Sequence, residues 1–362
     1  MAQLDLNTTH AESLGIIDYS TTSQALETSN AAGDKTVTFP NAAVNIGFYK
    51  SNPELKKAID KLGIFTVGQG INTDPLTQAK MDLIQGWGED SIHSILWNMQ
   101  VMKKVIGDSF AEIVRYEDTD KIVNIKPISA ERIQIIVGKN GLIKYYEQIN
   151  LIDKSARRID KKNMFHLCND RVGDETHGTS CIDACKWIIN AIEEVRRDHK
   201  VVMHRNKVPL RILEIDEDNY SKRDKLLAEY KKVATTEDGM VLAVPKGTIA
   251  VTTDQITIQD PIAWIAYLEN LLYQAVGVPR VIATSEGLSE AGGKVSYFTF
   301  EPVYTWEQIL LEADIKNQLG WKIVFNRPPS LKDNVQSNEA KNAGQVGIQP
   351  NDTKTGMTTE NG

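Results

Sequence analysis

The chain alternates between long stretches with helical spacing of apolar residues and groups of short, strand-like stretches. A helix is predicted over residues 76–105, although Gly86 and Gly88 can break it. Strands are predicted at residues 110–115, 122–125, 132–137, 143–148 and 164–167. The GKNG sequence at 138–141 predicts a hairpin turn. This part of the chain therefore reads as a mixed α/β unit with an antiparallel sheet.

A second long helix is predicted to begin at Ser180 and to end near Arg205. Its apolar positions recur every three or four residues: Ile182, Cys185, Ile189, Ile192, Val195, His199 and Val202. Ser180 and Asp183 fit the S-x-x-D form of a capping box. At 1.5 Å per residue the helix is roughly 37 Å long, which suits a packed wall of helices better than a small domain.

The rest of the chain predicts a small insert followed by two more helices. The insert has β-α-β-β order, with strands at 208–215, 240–244 and 249–258 and a helix at 221–234. Helices follow at 261–277 and 295–319, and a loop of small residues, 284–294, joins them. Residues 1–45 and 327–362 are polar without sustained periodicity, which predicts loosely ordered ends.

Composition narrows the function classes. Apolar residues make up 41% and charged residues 25%, the usual range of a globular protein. Lys and Arg number 41 against 48 Asp and Glu, a net charge of −7 that does not favour a sequence-reading DNA-binding domain. The sequence has neither a signal-like start nor an apolar run of about 18 residues, so secretion and membrane insertion are not expected. Three cysteines fit a reducing compartment.

The sequence does not predict a zinc site. Cys168, Cys181 and Cys185 lie close in sequence to His166 and His177, and a C-x3-C pair places both sulfur atoms on one helix face. Structural zinc usually uses tighter pairs such as C-x2-C. Cys185 also belongs to the apolar face, where a free cysteine packs as a small hydrophobe.

A phosphate-binding loop is not expected either. In the P-loop pattern four residues separate the first glycine from the Gly-Lys pair, and Ser or Thr follows. Five residues separate Gly287 from Gly293, and Val295 follows Lys294. The chain also lacks a convergent Asp/Glu or His/Asp/Ser set, so neither enzymatic activity nor a cofactor is predicted.

Several short motifs, in this order and spacing, resemble the portal proteins of long-tailed bacteriophages and prophage-like elements over residues 83–325. The matching segments are Gly107 to Ile113, Ile128 to Ile133, Phe165-His166, His177 to Ser180, Asn206 to Pro209 with Ile212-Leu213, Asp260, and Val276 to Pro279. Each segment alone is degenerate. Their common order makes the resemblance specific.

The resemblance implies an α+β portal fold with a mixed α/β wing, a two-helix stem, a β-α-β-β clip, a tunnel loop and a long tunnel helix. The implied boundaries are an N-terminal arm at 1–45, the wing at 46–178, stem helix 1 at 179–206, the clip at 207–259, stem helix 2 at 260–280, the tunnel loop at 281–294, the tunnel helix with the wing or crown base at 295–326, and a crown or flexible tail at 327–362.

The resemblance also implies a function. Portal proteins form a ring, usually of twelve subunits, at one capsid vertex, through which double-stranded viral DNA is packaged and ejected. The implied partners are the terminase large subunit, a head-tail adaptor and the major capsid protein, in a virion assembled in the host cytoplasm and without a membrane. The alternatives are another ring-forming head-tail connector and a nucleotide-dependent DNA-handling enzyme.

Two groups of residues are candidates for contact with DNA. The tunnel loop would contribute Glu286, Gly287, Ser289, Glu290, Gly292, Gly293 and Lys294. The first stem helix carries Lys186, Arg196, Arg197 and Lys200, which could meet phosphates. The sequence leaves open whether this basic strip faces DNA, faces solvent, or pairs with the neighbouring Glu193, Glu194 and Asp198. A net negative conduit would let DNA slide without adhering.

Overall fold

The chain divides into two compact units, Met1–Asp183 with Val276–Gly362 and Ala184–Ala275. The computed structural model describes residues 26–29, 33–116, 120–150, 152–153, 155–207, 211–215, 241–245, 261–284 and 290–327, together with 220–222, 224–225 and 228. Among these residues no helix combines the length and the apolar character that a bilayer crossing needs.

Within the described residues, the α-helices with defined bounds are α1 Ala42–Ser51, α2 Pro53–Val67, α3 Pro75–Asp82, α4 Ile92–Ile106, α5 Cys181–Lys207, α6 Ile262–Val276, α7 Arg280–Thr284 and α8 Glu290–Leu319. The strands are β1 Leu26–Ser29, β2 Lys35–Thr38, β3 Ile71–Thr73, β4 Asp108–Arg115, β5 Ile122–Ile128, β6 Ile133–Val137, β7 Ile143–Ile149, β8 Ala156–Asp160, β9 Met164–Cys168, β10 Arg211–Ile215, β11 Val241–Pro245 and β12 Ile323–Phe325.

The first unit contains three antiparallel sheets. The largest has the order β1-β2-β6-β7-β8, the second has the order β5-β4-β9, and β12 pairs with β3. The outer edge of β9 is held by one side chain of α8: Gln318 accepts from the backbone N–H of His166 at 2.8 Å and donates to its carbonyl oxygen at 2.8 Å. This amide satisfies backbone groups that an edge strand would otherwise leave unpaired.

The core of the first unit packs α4 and the end of α8 against the three-stranded sheet. Its buried residues include Leu96 and Met99 of α4, Phe165 of β9, and Leu311 and Ile315 of α8. The apolar positions of α4 recur at the helical spacing that places them on one face. The helices that surround the sheet are thus fixed mainly by burial of apolar surface.

Local signals set the helix ends. Asn52 and Asp74 each precede a proline, and their side chains accept from the backbone N–H of Leu55 at 2.7 Å and of Thr77 at 2.9 Å. Proline at the first helical position loses no hydrogen bond, and an Asn or Asp cap satisfies a free N–H. At the other end, α4 stops at Gly107, whose φ of 100° favours glycine.

The prediction of one continuous helix over residues 76–105 is wrong, because the structure has two helices there, α3 and α4. Between them Gly86 has a φ of 56°, and its N–H and carbonyl oxygen both bond the side-chain amide of Asn124. Trp87 donates its backbone N–H to Asp90 at 3.2 Å. The turn therefore depends on a left-handed glycine and a partner on β5, and the glycines were the correct sequence signal for the break.

The five predicted strands of the first unit are confirmed as β4, β5, β6, β7 and β9, and so is the turn at 138–141, where Gly141 donates to the Gly138 carbonyl at 2.9 Å. Five strands of the described residues were not predicted there: β1, β2, β3, β8 and β12. The first two lie within residues 1–45, assigned above to a poorly ordered arm, and β2 pairs with β6. Residues 1–25 and 328–362 lie outside the described residues.

The second unit contains most of α5, most of α6, and the strands β10 and β11. These strands pair in parallel, Arg211 opposite Val241 through Ile215 opposite Pro245. A parallel pair needs a crossover connection, so this register agrees with the predicted β-α-β order. The predicted helix at 221–234 falls mostly outside the described residues, and the predicted strand at 249–258 falls entirely outside them.

Candidate functional site

Three of the short motifs meet in space where α5 begins. Asp108 is the first residue of β4, His166 lies on β9, and Gly178 lies just before α5. The Asp108 carboxylate bonds both partners: one oxygen lies 2.7 Å from His166 Nε2, and the other accepts the Gly178 N–H at 2.8 Å. Asp108 is fully buried, so these bonds replace the water that its charge has lost.

Backbone contacts make this junction tight. A Cβ atom on Gly178 would lie 2.2 Å from the Gly107 carbonyl oxygen and 2.5 Å from the Asn169 carbonyl oxygen. Only glycine allows these segments to approach so closely. Asn169 joins them further, because its N–H donates to Gly107 at 2.7 Å and its side-chain amide donates to the Thr179 carbonyl at 2.7 Å.

Ser180 provides the cap of α5. Its hydroxyl accepts from the backbone N–H of Ile182 at 3.0 Å and lies 2.5 Å from the Val105 carbonyl oxygen, to which it donates. The same oxygen atom thus closes the first turn of α5 and ties it to the end of α4. The prediction that a helix begins after Ser180 is confirmed, with Cys181 as its first residue.

His166 has a second set of neighbours. Its Nδ1 lies 3.1 Å from the Tyr146 hydroxyl, and Cys168 Sγ lies 3.2 Å from its Nε2. The Phe110 ring stacks on the imidazole at 4.5 Å. Burial opposes a charge on His166, but Cys168, Tyr146 and the Asp108 hydrogen bond outweigh it, so the pKa of His166 is raised well above its usual value.

This arrangement is not a nucleophilic relay. In a Cys-His-Asp relay the carboxylate holds one ring nitrogen while the other faces the thiol. Here Asp108 and Cys168 both approach Nε2 of His166. Because the Asp108 carboxylate and the Cys168 thiol share one nitrogen, the carboxylate does not hold the opposite side of the ring as a relay requires. This geometry does not favour Cys168 as a nucleophile.

A cavity of about 1070 Å³ adjoins this cluster. Its lining includes Tyr146, His166 and Cys168 on one side and Trp306 and Asp314 of α8 on another. Cationic side chains also line it: Arg115, Lys161, Lys162 and Arg171. Arg171 donates to Cys168 Sγ at 2.8 Å. Small molecules or ions can therefore reach the sulfur side of the cluster.

A buried ion pair joins α4 to α8 within the same unit. The Glu307 carboxylate lies 2.9 Å from Lys103 Nζ and 2.7 Å from Lys104 Nζ, and Gln100 donates to it at 2.7 Å. Burial on its own raises the pKa of Glu307, but the ammonium groups of Lys104 and Lys103 outweigh burial and lower it to about 2. Lys104 also donates to Asn169, which links this network to the start of α5.

The four basic residues predicted on the first stem helix differ in their exposure and in their charged neighbours. Arg196 lies 3.3 Å from Glu193 on the same helix and 3.3 Å from Glu269 on α6, so Arg196 takes part in the pairing that the sequence left open. Arg197 and Lys200 are exposed, and Lys186 is half-buried. On a helical wheel Lys186 and Arg197 share one face, and exposed Glu193 lies between them.

The predicted tunnel loop is shorter than expected, and this is a correction. Arg280–Thr284 is helical, and α8 already begins at Glu290, so Gly292, Gly293 and Lys294 are helical residues. Two glycines cost about 1 kcal/mol each in a helix, which the other residues of a 30-residue helix can offset. Glu286, Gly287 and Ser289 lie outside the described residues.

The cysteine and histidine set considered for zinc does not come together as one site. Cys185 is fully buried on α5, and His177 Nδ1 lies 3.2 Å from the Gly178 carbonyl oxygen. The group that does converge is Asp108, His166 and Cys168, whose ligand atoms lie within 4.8 Å of one another. Sequence reasoning missed Asp108 as a partner because it lies on another strand, although it stands inside the first quoted motif.

No family model and no curated protein matches this sequence. Solved structures do match. The neck of a native gene transfer agent particle, computed with C12 symmetry, contains a chain with a TM-score of 0.62 and 13% identity, over 87% of this chain and 92% of that one. The virion of the native particle gives 0.59 and 12%, over 85% and 90%.

An HK97-family phage portal protein from Corynebacterium diphtheriae also matches, with a TM-score of 0.50 and 12% identity, over 79% of this chain and 96% of that one. At such identities the similarity establishes the fold. The chain therefore has the fold of portal proteins, as the order of its motifs predicted, and the matches span nearly the whole length of the similar chains.

Proposed function

We propose that this chain is a portal subunit, which forms a ring at one capsid vertex for passage of double-stranded DNA. The observation that carries this proposal is a portal fold over 87% of the chain, shared with a neck protein whose particle was treated with C12 symmetry. The similarity to an HK97-family portal protein favours a portal over another head-tail connector. In this role the chain is structural and leaves nucleotide hydrolysis to a separate motor.

Large exposed apolar residues of the second unit support ring formation. Trp187 and Met203 on α5 and Trp264 and Tyr267 on α6 each leave half or more of their surface exposed. The Trp264 and Tyr267 rings stack on each other at 5.4 Å. Large exposed apolar side chains mark surfaces that another protein covers, and in a closed ring each subunit covers its neighbour. We assign these side chains to contacts between neighbouring stem helices.

The positions of the portal parts follow from this proposal. α5 and α6 are the two stem helices, β10 and β11 belong to the clip, and α8 is the tunnel helix. The part of the first unit that precedes α5 is the wing. The tunnel loop is then confined to residues 285–289. Terminase, a head-tail adaptor and the major capsid protein are the partners that such a ring requires.

End-on electron microscopy and native mass spectrometry of the purified chain test the proposal. A closed ring with an axial opening is expected, with a mass of about 485 kDa for twelve chains of 40.4 kDa. Trp264→Ser is the informative variant, because it removes one of the two exposed aromatic rings that stack on α6, and it should weaken ring formation. Leu142→Ser, at an exposed hairpin position, is the matched control and should still form rings. A chain that stays monomeric under all salt and protein concentrations would refute ring formation.

A further inference from the structure

Asp108, His166 and Cys168 place three different metal-ligand atoms around one point. His166 Nε2 lies 2.7 Å from Asp108 Oδ1 and 3.2 Å from Cys168 Sγ. The three atoms lie within 4.8 Å of one another. Zinc bonds of about 2.0 Å to nitrogen and oxygen and about 2.3 Å to sulfur separate tetrahedral ligand atoms by about 3.3 to 3.6 Å. To admit the ion, the nitrogen-to-oxygen distance would open by about 0.6 Å and the nitrogen-to-sulfur distance by about 0.3 Å.

The remaining atoms of each ligand are already bonded in the way that metal sites need. Tyr146 bonds Nδ1 of His166, so an ion would bind Nε2, the nitrogen that faces Asp108 and Cys168, in place of the proton held there. Gly178 donates to Asp108 Oδ2 and leaves Oδ1 for coordination. Arg171 donates to Cys168 Sγ. Outer hydrogen bonds of this kind orient ligands and raise metal affinity.

Charge and access also fit a divalent ion. A thiolate, a carboxylate and a neutral imidazole around a divalent cation sum to zero, which suits buried ligands such as Asp108 and His166. The thiol proton and the proton between His166 and Asp108 would leave to solvent on binding. The adjoining cavity contains Cys168 and His166 in its lining and can supply water as a fourth ligand.

We propose that Asp108, His166 and Cys168 form a site for a zinc-like divalent transition-metal ion, with water from the adjoining cavity as the fourth ligand. The sulfur and imidazole ligands favour zinc over magnesium or calcium, which prefer oxygen. The ion would cross-link β4 and β9 beside Gly178, which lies just before α5. A site with one ligand from β4 and two from β9 would stabilise the first unit whenever metal is present.

Cobalt binding to the full-length chain, stripped with a chelator and in its assembled form, tests the site. One Co²⁺ per chain is expected, with tetrahedral visible bands and a near-ultraviolet thiolate-to-cobalt band. Cys168→Ser should abolish the thiolate band, whereas Cys181→Ser, which changes the other half-buried cysteine, should keep it. Tyr146→Phe should weaken Co²⁺ affinity about tenfold by removing an outer hydrogen bond.

A persistent thiolate band in Cys168→Ser, its loss in Cys181→Ser, or no stoichiometric cobalt in the wild type would overturn the proposal. Alkylation of the wild-type chain covers the case in which Cys168→Ser fails to fold. Zn²⁺ should protect one thiol per chain, and peptide mapping should identify Cys168. Protection of another cysteine, or of none, contradicts the site.

Discussion

The Lys103 ammonium group lies 2.9 Å from the Glu307 carboxylate, and both side chains are almost completely buried. The other oxygen of Glu307 lies 2.7 Å from Lys104. One carboxylate on α8 therefore balances two cations on α4. One of these cations, Lys104, also bonds Asn169, which follows β9 and donates to the Thr179 carbonyl just before α5. Removing the carboxylate leaves two buried charges without their counter-ion, which is far more costly than the loss of a surface pair.

Glu307→Gln should lower the free energy of unfolding by about 3–5 kcal/mol, because an amide keeps the shape but not the charge. Denaturant unfolding monitored by tryptophan fluorescence measures the change. The control is Glu89→Gln at an exposed position, which should alter stability by about 0.5 kcal/mol or less. Equal changes in the free energy of unfolding for the two variants would show that the buried ion pair contributes no more to stability than an exposed carboxylate does.

The Glu307 carboxylate should also make the free energy of unfolding depend on pH. Its pKa falls from a usual value of 4.5 to about 2 on folding, so the unfolded chain binds the proton more readily. The resulting stability, about 3 kcal/mol, is fully present above pH 4.5 and is lost as the pH falls toward 2. Unfolding free energies measured across this window should decline less steeply in Glu307→Gln than in the wild type. Parallel curves would contradict the assignment.

The elements that sequence could predict are those with a clear period. α5 and α6 follow from apolar spacing, and the hairpin at 138–141 follows from its glycines. β8 was missed because four of its five residues are exposed polar or small residues, so it carries no alternating apolar signal. β3 and β12 have three residues each and exist only through pairing with each other across most of the chain. Their formation depends on tertiary structure, which local propensity does not encode.

The candidate metal site shows the same limit. His166 and Cys168 alternate on one strand, so their common face was readable from the sequence. Asp108 joins them only because β4 and β9 pair in a register that places Asp108 opposite Cys168. The prediction of the tunnel loop erred in the opposite direction: Gly292 and Gly293 are a local helix-breaking signal, yet the 30-residue helix α8 includes both and begins at Glu290.

Gly178→Ala should destabilise the protein by about 3 kcal/mol or prevent folding, because its Cβ would overlap backbone atoms of Gly107 and Asn169 that cannot move as a flexible side chain can. Gly47→Ala is the control. It lies in α1 with open space around the added Cβ, so it should stabilise the helix by up to about 1 kcal/mol. Thermal unfolding of both variants checks the pair, and wild-type stability of Gly178→Ala would show that the junction can relax.

Arg197→Glu with Lys200→Glu should reduce DNA packaging or retention while rings still assemble. Both wild-type side chains are exposed, so they can contact DNA phosphates if they face the proposed channel, and glutamate would repel those phosphates. Arg196→Gln is the comparison. It removes an exposed pair with Glu193 and a part-buried pair with Glu269, so its effect should be a loss of about 1 kcal/mol or less in stability rather than a change in packaging. Packaging assays at several salt concentrations separate the two. Normal packaging by the double variant would place these residues away from DNA.

Two sets of variants distinguish the shortened tunnel loop from the longer one. If α8 begins at Glu290, Gly292→Ala with Gly293→Ala replaces poor helix formers by the best one, and should preserve packaging while raising the unfolding temperature by a few degrees. Deleting residues 286–288 instead shortens the segment proposed to touch DNA, and should impair packaging or retention in rings that assemble normally. Particle counts and encapsidated DNA, measured on the same preparations, check both. A packaging defect in the alanine pair, with normal packaging by the deletion, would return the functional loop to residues 290–294 and show that their helical conformation must open for DNA to pass.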